Sequence, residues 1–530
     1  MGRRSTFVQG ACLVRALRLL SGACLAALAA TPAAAQGIPQ QNVNAIGPTP
    51  VNWLLAGNAR KQQNEPECAV SPGHPDWLFC GYNDYRAVDF AAVGDAFPGV
   101  SMSRNGGRSW ISGLHPGHLA DSPNINKQYG ADANVAAVPN FLLYNFIAGW
   151  RDDTQPGAMY VSRWYEHNRE SGPPWEPLDI VTVDTGTSGR FLDKPAFATS
   201  LADPAAGLPD IVVPIPRYND PRNPGNVVPA YNLHVPAGRT HLVYSVFVGN
   251  DNNDGTKIMY RASDDWGATW PVATKLSESA EINQGASIAT RHFGEQVLVV
   301  WRRFSDNNET SAIMMSFLAN NKWTKPEVVT EFCAFDQTTG AARFRTNALP
   351  IVSSDGDNFY VFYADRGPGG QTCVNADGSA RESNVALEDD FFGARDGKVP
   401  MARNFSRIMM VRSSGNNKLQ WSAPVAVDAQ ESSAGIRRRG HQFMPAAATA
   451  GGITTVSWYD SRRDKLNLRA NPVAGGFIED LVLHVDGVSG TLVPAGLYEQ
   501  VPPPAELPPT EGNYPFRRTL DVYGAQLVDG

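Results

Sequence analysis

The chain has 530 residues, among them 49 glycines, 39 prolines and 12 tryptophans. Many turn-forming residues beside many aromatic ones are typical of short strands joined by turns, and they argue against a helical protein. The formal net charge of −7 offers no basic surface, so we expect neither nucleic acid nor an anionic membrane as a partner.

Residues 1–35 have the pattern of a secretory signal peptide. Arg3 and Arg4 begin the segment, an apolar stretch runs as far as Leu28, and three alanines precede Gln36. An uncleaved anchor is the alternative, although the apolar run is short for a membrane span. Of the 45 basic residues, four arginines lie in this segment, so 41 basic and 52 acidic residues remain. We expect a secreted or periplasmic protein with no membrane span.

One pattern recurs six times along the rest of the chain. A segment of small and apolar residues is followed by a turn and by an apolar strand that ends in aromatic or acidic residues and an arginine. Units of this size cannot bury their own apolar face, so they must pack side by side. The copies occupy residues 64–86, 132–151, 193–217, 284–303, 347–366 and 441–463.

Each copy can be extended to four strands. In the third, the strands are predicted at residues 195–199, 210–216, 257–265 and 270–278. The prediction is an all-β protein, a six-bladed β-propeller of four-stranded antiparallel blades.

The last blade lacks a strand, because the chain ends after Thr519–Val528. We predict that Val51–Gly57, within an N-terminal segment of residues 36–57, pairs as the missing strand and closes the ring. A truncated sequence is the alternative. Residues 58–530 would then form the propeller.

Two turns carry a specific motif. Residues 263–270 fit S-x-D-x-G-x-T-W, and residues 103–110 fit it with Asn for Asp and Ser for Thr. The Asp or Asn side chain can accept hydrogen bonds from turn N–H groups, glycine permits a positive φ, and tryptophan packs between sheets. These turns resemble the Asp-box of the bacterial neuraminidase repeat, and the mature chain resembles the sialidase-like, BNR-repeat six-bladed propellers. The motif concerns the fold, and activity has to be argued separately.

In an antiparallel blade, the first strand begins and the second strand ends on the same face, and the resemblance implies a substrate pocket there. Polar residues occupy these positions in every repeat. Guanidinium groups there can bind a carboxylate or phosphate, although ion pairs between blades are the alternative. The candidate catalytic residues are Glu65, Asp132, Asp193 and Tyr459, and the candidate substrate-binding residues are Arg151, Arg302, Arg345, Arg366 and Arg462.

Sialidases combine three arginines on the substrate carboxylate with a Tyr–Glu nucleophile pair and an Asp acid/base, and the resemblance implies these roles. Tyr459 or Tyr363 would be the nucleophile, and Asp132 or Asp193 the acid. The first of the three arginines is missing, because this chain has Gln-Asn-Glu-Pro at residues 63–66.

Two hypotheses therefore remain. One is an exported, exo-sialidase-like glycoside hydrolase that acts on an acidic glycan such as a sialoside. The other is a non-catalytic propeller that binds a glycan or a protein through the same face. We favour the enzyme, and we expect no cofactor and no metal.

Cysteine spacing predicts two disulfides. Two of the six cysteines lie in the signal-like segment, and an even number remains for an exported protein. Cys68 and Cys80 lie on consecutive strands of the first repeat, which favours a cross-strand bridge. Cys333 and Cys373 would then pair by elimination.

Overall fold

The structure is a computed structural model. It describes residues 63–85, 96–115, 129–149, 157–167, 173–187, 189–219, 225, 227–248, 255–278, 281–304, 311–334, 347–365, 406–428, 442–450, 452–460, 466–468, 481–485, 493–494 and 521–528. Their regular structure consists of strands and two short 3₁₀ helices. Among these residues no helix is long and apolar enough to span a bilayer.

The first two repeats form one four-stranded sheet each. Their strands are β1 (Gln63–Val70), β2 (Leu78–Asp84), β3 (Phe97–Ser103), β4 (Ile111–Leu114), β5 (Tyr129–Val138), β6 (Phe141–Gly149), β7 (Ala158–Glu166) and β8 (Trp175–Thr185). The third repeat contains β9 (Arg190–Leu201), a 3₁₀ helix (Pro204–Ala206), β10 (Ile211–Ile215), β11 (Tyr218–Asn219), β12 (Val227–Val228), β13 (Tyr231–Val235), β14 (Gly238–Val248), β15 (Lys257–Ser263) and β16 (Thr274–Lys275).

The fourth repeat contains β17 (Asn283–Arg291), a 3₁₀ helix (His292–Gly294), β18 (Gln296–Arg303), β19 (Ser311–Ala319), β20 (Lys322–Trp323) and β21 (Glu327–Phe332). The fifth contains β22 (Ile351–Ser354), β23 (Phe359–Asp365), β24 (Arg407–Ser414), β25 (Gln420–Trp421) and β26 (Val425–Ala426). The sixth contains β27 (Gln442–Ala450), β28 (Ile453–Asp460), β29 (Leu466–Leu468), β30 (Leu481–Val485), β31 (Val493–Pro494) and β32 (Asp521–Val528).

Each repeat builds one antiparallel blade, so the predicted six-bladed propeller is confirmed. The first strands of the blades, β1, β5, β9, β17, β22 and β27, contact one another in this order and are called the inner strands below. Buried apolar side chains fill the space between successive sheets, from the first blade to the sixth. The hydrophobic core is therefore distributed between blades, as the small size of each repeat requires.

The third blade differs from its prediction. Residues 210–216 were expected to be its second strand, but β10 pairs with β13 in a separate hairpin, and β14 occupies the predicted place beside β9. Pro214 and Pro216 offer a physical reason, because proline lacks the N–H that a central strand donates. Arg217 consequently does not end a blade strand, as the repeat pattern had placed it.

The sixth blade has three described strands in the order β27, β28, β32. The C-terminal strand β32 pairs along the whole of β28, which agrees with a blade that lacks its outer strand. Val51–Gly57, the predicted closing strand, lies outside the described residues, so ring closure by this segment stays a prediction.

The first predicted disulfide is confirmed. Cys68 and Cys80 are directly opposite each other on β1 and β2, with their Cα atoms 4.1 Å apart, and they are bonded. Cys333 is also disulfide-bonded. Its predicted partner, Cys373, lies outside the described residues, so that pairing stays a prediction.

The motif at residues 263–270 folds as its residue types suggest. Asp265 accepts hydrogen bonds from the Ser263 hydroxyl (2.7 Å), the Thr269 N–H (2.9 Å) and the Thr269 hydroxyl (2.6 Å). Gly267 has a φ of 82° and donates its N–H to the Ser263 hydroxyl (2.8 Å). The turn at residues 103–110 repeats three of these bonds with its Asn and Ser substitutes, and in the fourth the direction is reversed, because the Asn105 amide donates to the Ser109 hydroxyl (2.8 Å). Both turns connect the third and fourth strands of their blades, away from the first ends of the inner strands.

A carboxylate links the second and third blades. Asp184 on β8 accepts hydrogen bonds from Arg190 (2.8 Å) and from the Tyr244 hydroxyl (2.6 Å), and it pairs with Arg261 (3.3 Å). Its side chain is only 10% exposed. Burial alone would raise the pKa of Asp184, but the hydrogen bonds and positive charges outweigh burial and lower it. The ionised form is therefore the one that stabilises this interface.

We predict that Asp184→Asn lowers the free energy of unfolding by about 3 kcal/mol, because it leaves two partly buried arginines without their carboxylate. Since the folded pKa lies below the ordinary value of 3.8, the stabilisation is complete above that pH and is lost as the pH falls through the lowered pKa. Denaturant unfolding at several pH values measures both effects. The control is Asp264→Asn, in an ion pair whose carboxylate is 72% exposed, for which we expect less than about 1 kcal/mol. Equal losses for the two variants would contradict the prediction.

Candidate functional site

Five of the six inner strands contain the same irregularity near their first residues. In each, two residues oppose a single residue of the neighbouring strand, which is the geometry of a β-bulge. The first residue of each bulge has a positive φ. These five residues are Glu65, Asp132, Lys194, Gly285 and Met444.

Backbone with positive φ is unfavourable for residues other than glycine. Glu65, Asp132 and Lys194 have φ values of 52°, 56° and 45°, at a cost of about 1–2 kcal/mol each. Gly285 has the same conformation without that cost. Strain of this kind concentrates at functional sites and directs attention to the three charged side chains on adjacent blades.

Lys194 joins these charged side chains. Its ammonium group binds the Glu65 carboxylate and lies 3.4 Å from Asp132 Oδ1. Its backbone N–H donates to Asp132 Oδ2 at 3.2 Å. Asn83 on β2 completes the connection, because it donates to Glu65 Oε2 (3.3 Å) and accepts from the Asp132 N–H (2.8 Å). Three adjacent blades are thus held together by one polar network at the first ends of their inner strands.

Two further carboxyl groups belong to this site. The Asp132 carboxyl forms side-chain hydrogen bonds with both Asp193 and Glu65. Glu67 is close enough to Lys194 and Glu65 for their charges to change its pKa. We call Glu65, Glu67, Asp132, Asp193 and Lys194 the inner-strand cluster.

The hydrogen-bonded carboxyls of the cluster differ in acidity. Burial raises the pKa of Glu65 despite the opposing effect of Lys194. Burial also acts to raise the pKa of Asp132, but Lys194 and the hydrogen bonds to the carboxylate outweigh it and hold the pKa well below its usual range. A proton shared between these two groups therefore resides on Glu65, and Asp132 is the carboxylate.

Glu67 is poised near neutrality. Its surroundings desolvate the carboxyl and raise its pKa to about 7, with Lys194 acting in the opposite direction. By its solvent-accessible surface area, however, Glu67 as a whole is exposed. The surface area describes the whole residue, whereas the pKa depends on the atoms around the carboxyl group, so the crowded surroundings of the carboxyl decide its acidity. Such a group can both give and take a proton near pH 7.

Of the four predicted catalytic residues, the structure brings together Glu65, Asp132 and Asp193. Tyr459 lies on β28 of the sixth blade, 37% exposed, with its ring stacked on Phe443 at a centroid distance of 5.8 Å. Within the described residues no contact joins it to the cluster. The catalytic roles of all four stay predictions. Tyr363, the alternative nucleophile, is fully buried.

Arg302 is the one predicted substrate-binding arginine among the described residues. It is buried, its guanidinium group donates to the Ser311 hydroxyl (2.9 Å), and it lies 3.9 Å from the ring centre of Phe304. These contacts show that Arg302 packs within the fourth blade. Its role in substrate binding stays a prediction. The remaining four, Arg151, Arg345, Arg366 and Arg462, lie outside the described residues.

The sequence analysis did not include Lys194 and Glu67 among the candidate site residues. Lys194 follows Asp193 directly, and its position in the repeat matches Glu65 and Asp132, so aligning the repeats residue by residue would have indicated it. Glu67 follows Glu65 by two residues on the same strand. No sequence signal for the raised pKa of Glu67 is evident, because that property depends on the neighbouring blades.

No metal site accompanies the cluster, since no group of three or more histidine, cysteine or acidic residues in the described part of the chain fits a metal ion. The chemistry available to these residues is the donation and acceptance of protons, together with stabilisation of a nearby positive charge.

No family model matches the sequence, and no curated protein matches it. Among solved structures, the Trypanosoma rangeli sialidase in complex with the inhibitor DANA matches with 7% identity and a TM-score of 0.36, over 76% of this chain and 53% of the sialidase. The chain thus spans about half of that sialidase. The GH93 α-L-arabinofuranosidase of Fusarium graminearum matches with 8% identity and a TM-score of 0.38, over 76% of this chain and 90% of the enzyme.

A third match is the Penicillium chrysogenum α-L-arabinanase complexed with arabinobiose. It has 10% identity and a TM-score of 0.37, over 75% of this chain and 88% of the arabinanase. Identities and TM-scores this low carry no argument about activity, and the propeller assignment rests on the sheets described above.

The pKa of Glu67 predicts a pH-dependent stability. Because folding raises this pKa from its ordinary 4.5 to about 7, the associated stability is complete below pH 4.5 and is lost as the pH rises through 7. Glu67→Gln removes the ionisation, so we expect a variant that is more stable than the parent above pH 7 and equal to it at pH 4. Thermal unfolding between pH 4 and 9 measures the difference. Glu327→Gln, at an exposed position on β21, is the control. A parallel pH dependence in parent and Glu67→Gln would disprove the shift.

Proposed function

We propose that this protein is an exported glycoside hydrolase whose proton transfers are carried out by the inner-strand cluster, with an acidic glycan such as a sialoside as its substrate class. The observation that carries the proposal is the presence of carboxyls with opposite pKa shifts in one site. Hydrolysis of a glycosidic bond needs a carboxylic acid to protonate the leaving oxygen and a carboxylate to stabilise or attack the sugar.

Glu67 is the best proton donor of the cluster. Its pKa of about 7 keeps a large protonated fraction near neutral pH. Asp132 is the best carboxylate, because Lys194 keeps it ionised. Glu65 is hydrogen-bonded to Asp132, whereas carboxyls on the two sides of a glycosidic bond are about 5 Å or more apart. Glu65 and Asp132 therefore act as one coupled unit, in which Asp132 is the more acidic carboxyl.

In this proposal, arginines rather than Lys194 bind the carboxylate of an acidic substrate. Lys194 already contacts the carboxyl groups of Glu65 and Asp132, so its charge is engaged within the cluster. Arg151, Arg366 and Arg462 follow the second strands of their repeats, and Arg345 precedes the first strand of the fifth; these four are the proposed carboxylate ligands. The signal-like residues 1–35 and the Cys68–Cys80 disulfide support export.

A glycan-binding propeller without turnover is the second candidate. The specific observation in its favour is that the carboxylates of Glu65 and Asp132 already have partners within the protein. A network of this kind can hold blades together without performing chemistry.

The test is release of 4-methylumbelliferone from sialic-acid, other acidic and neutral glycosides by residues 36–530. We expect turnover with an acidic glycoside, and a loss of about 10²–10⁴-fold in kcat for Glu67→Gln and Asp132→Asn, the usual contribution of acid–base catalysis. Because Glu67 must be protonated, kcat/KM should fall as the pH rises through about 7, and this limb should vanish in Glu67→Gln.

Glu327→Gln serves as the control and should retain full activity. Turnover restricted to neutral glycosides would reject the acidic substrate while keeping the hydrolase. No turnover on any glycoside, with binding retained on a glycan array, would reject the hydrolase in favour of the binding propeller.

A further inference from the structure

We propose that Lys194 is a positioning residue that decides which carboxyl of the inner-strand cluster holds the proton. The inference rests on the proposed function, because it assigns to Lys194 the arrangement that the reaction needs. Lys194 itself transfers no proton and touches no reacting atom in this account. It acts through Asp132 and Glu65.

The first argument is that Lys194 holds both oxygens of one carboxylate. Its ammonium group lies 3.4 Å from Asp132 Oδ1, and its backbone N–H donates to Asp132 Oδ2 at 3.2 Å. One residue thereby sets both the orientation and the charge of Asp132. A simple surface ion pair fixes neither, because its side chains remain free to rotate in water.

The second argument comes from the bulge. Lys194 has a φ of 45°, whereas the corresponding bulge of the fourth blade has Gly285 with a φ of 65°. Glycine adopts this backbone without strain, so the fold does not need a lysine here. The lysine side chain at this position contacts two neighbouring blades, through Glu65 on β1 and Asp132 on β5.

The third argument is the charge balance around the ammonium group. Glu65 and Glu67 approach it from β1, Asp132 from β5, and Asp193 from its own strand, β9. Asn83 on β2 contributes uncharged hydrogen-bonding groups to the network. The Lys194 ammonium group thus interacts with all four of these carboxyls.

Its removal has a predictable direction. Lys194 lowers the pKa of Glu67, Glu65 and Asp132, while burial raises the pKa of each. Without the ammonium group, all three carboxyls should keep their protons to higher pH. The effect on Asp132 should be the largest, because Asp132 has the strongest coulombic interaction with the Lys194 ammonium group.

The experiment compares three variants of the mature chain. Lys194→Met keeps most of the aliphatic stem, Lys194→Gly keeps a bulge that Gly285 shows to be compatible with glycine, and Lys194→Arg restores a positive charge. In the Met and Gly variants, we expect the acidic and the basic limb of the kcat/KM–pH profile to shift to higher pH by about one unit or more. The Arg variant should recover the parental limbs at least in part. Lys322→Met, at an exposed position on β20, should leave the profile unchanged.

A purely structural role gives a different result. Lower thermal stability with unchanged limbs, in Lys194→Met and Lys194→Gly alike, would overturn the inference. An activity-independent measurement separates this outcome from failure of the proposed function. In protein labelled with ¹³C at the aspartate carboxyls, the Asp132 resonance, assigned by its absence in Asp132→Asn, should titrate at higher pH in Lys194→Met than in the parent. An unchanged titration overturns the inference, whereas a shifted titration in a protein without turnover rejects only the hydrolase.

Discussion

The contact of one ammonium group with carboxyls from neighbouring blades is the interaction on which the site depends. Lys194 is held by the third blade, Asp132 by the second and Glu65 by the first. None of these blades has a site by itself, because each inner strand supplies one bulge residue. The packing of blades around an axis converts three separate strand positions into a single constellation. This is how a repetitive scaffold can carry an asymmetric site.

Charged residues are distributed unevenly among the equivalent bulge positions of the blades. The bulge position carries Glu65, Asp132 and Lys194 in the first three blades, but Gly285 in the fourth and Met444 in the sixth. The backbone geometry is thus shared by charged and uncharged blades. The fold supplies the position, and the residue type at each position decides whether chemistry is possible there. The proposed proton transfer is consequently assigned to the first three blades.

The fold was largely predictable from the sequence, since the repeats show the blades directly. The error in the third blade has an identifiable cause. Residues 210–216 have the apolar composition of a strand, but Pro214 and Pro216 cannot donate backbone hydrogen bonds, and β14 takes the position in the blade. Apolar composition alone therefore selected residues 210–216 as the blade strand. The missing N–H groups of the two prolines favour β14 in that position.

The site was predictable only in part. Position at the start of an inner strand indicated Glu65, Asp132 and Asp193 before any contact was known. The bulge that turns them toward one another depends on left-handed backbone at non-glycine residues, for which the sequence contains no signal. The opposite pKa shifts depend on burial and on charges from other blades. These long-range effects arise only when the blades are assembled.

The central claim is that the inner-strand cluster is the place where a glycan is held and protonated. A crystal structure of the Asp132→Asn protein with an acidic oligosaccharide tests it most directly. The account predicts a sugar ring over the first three blades, with its glycosidic oxygen within hydrogen-bond distance of Glu67. An oligosaccharide bound elsewhere, with Glu65, Lys194 and the residue at 132 still bonded only to one another, would contradict it.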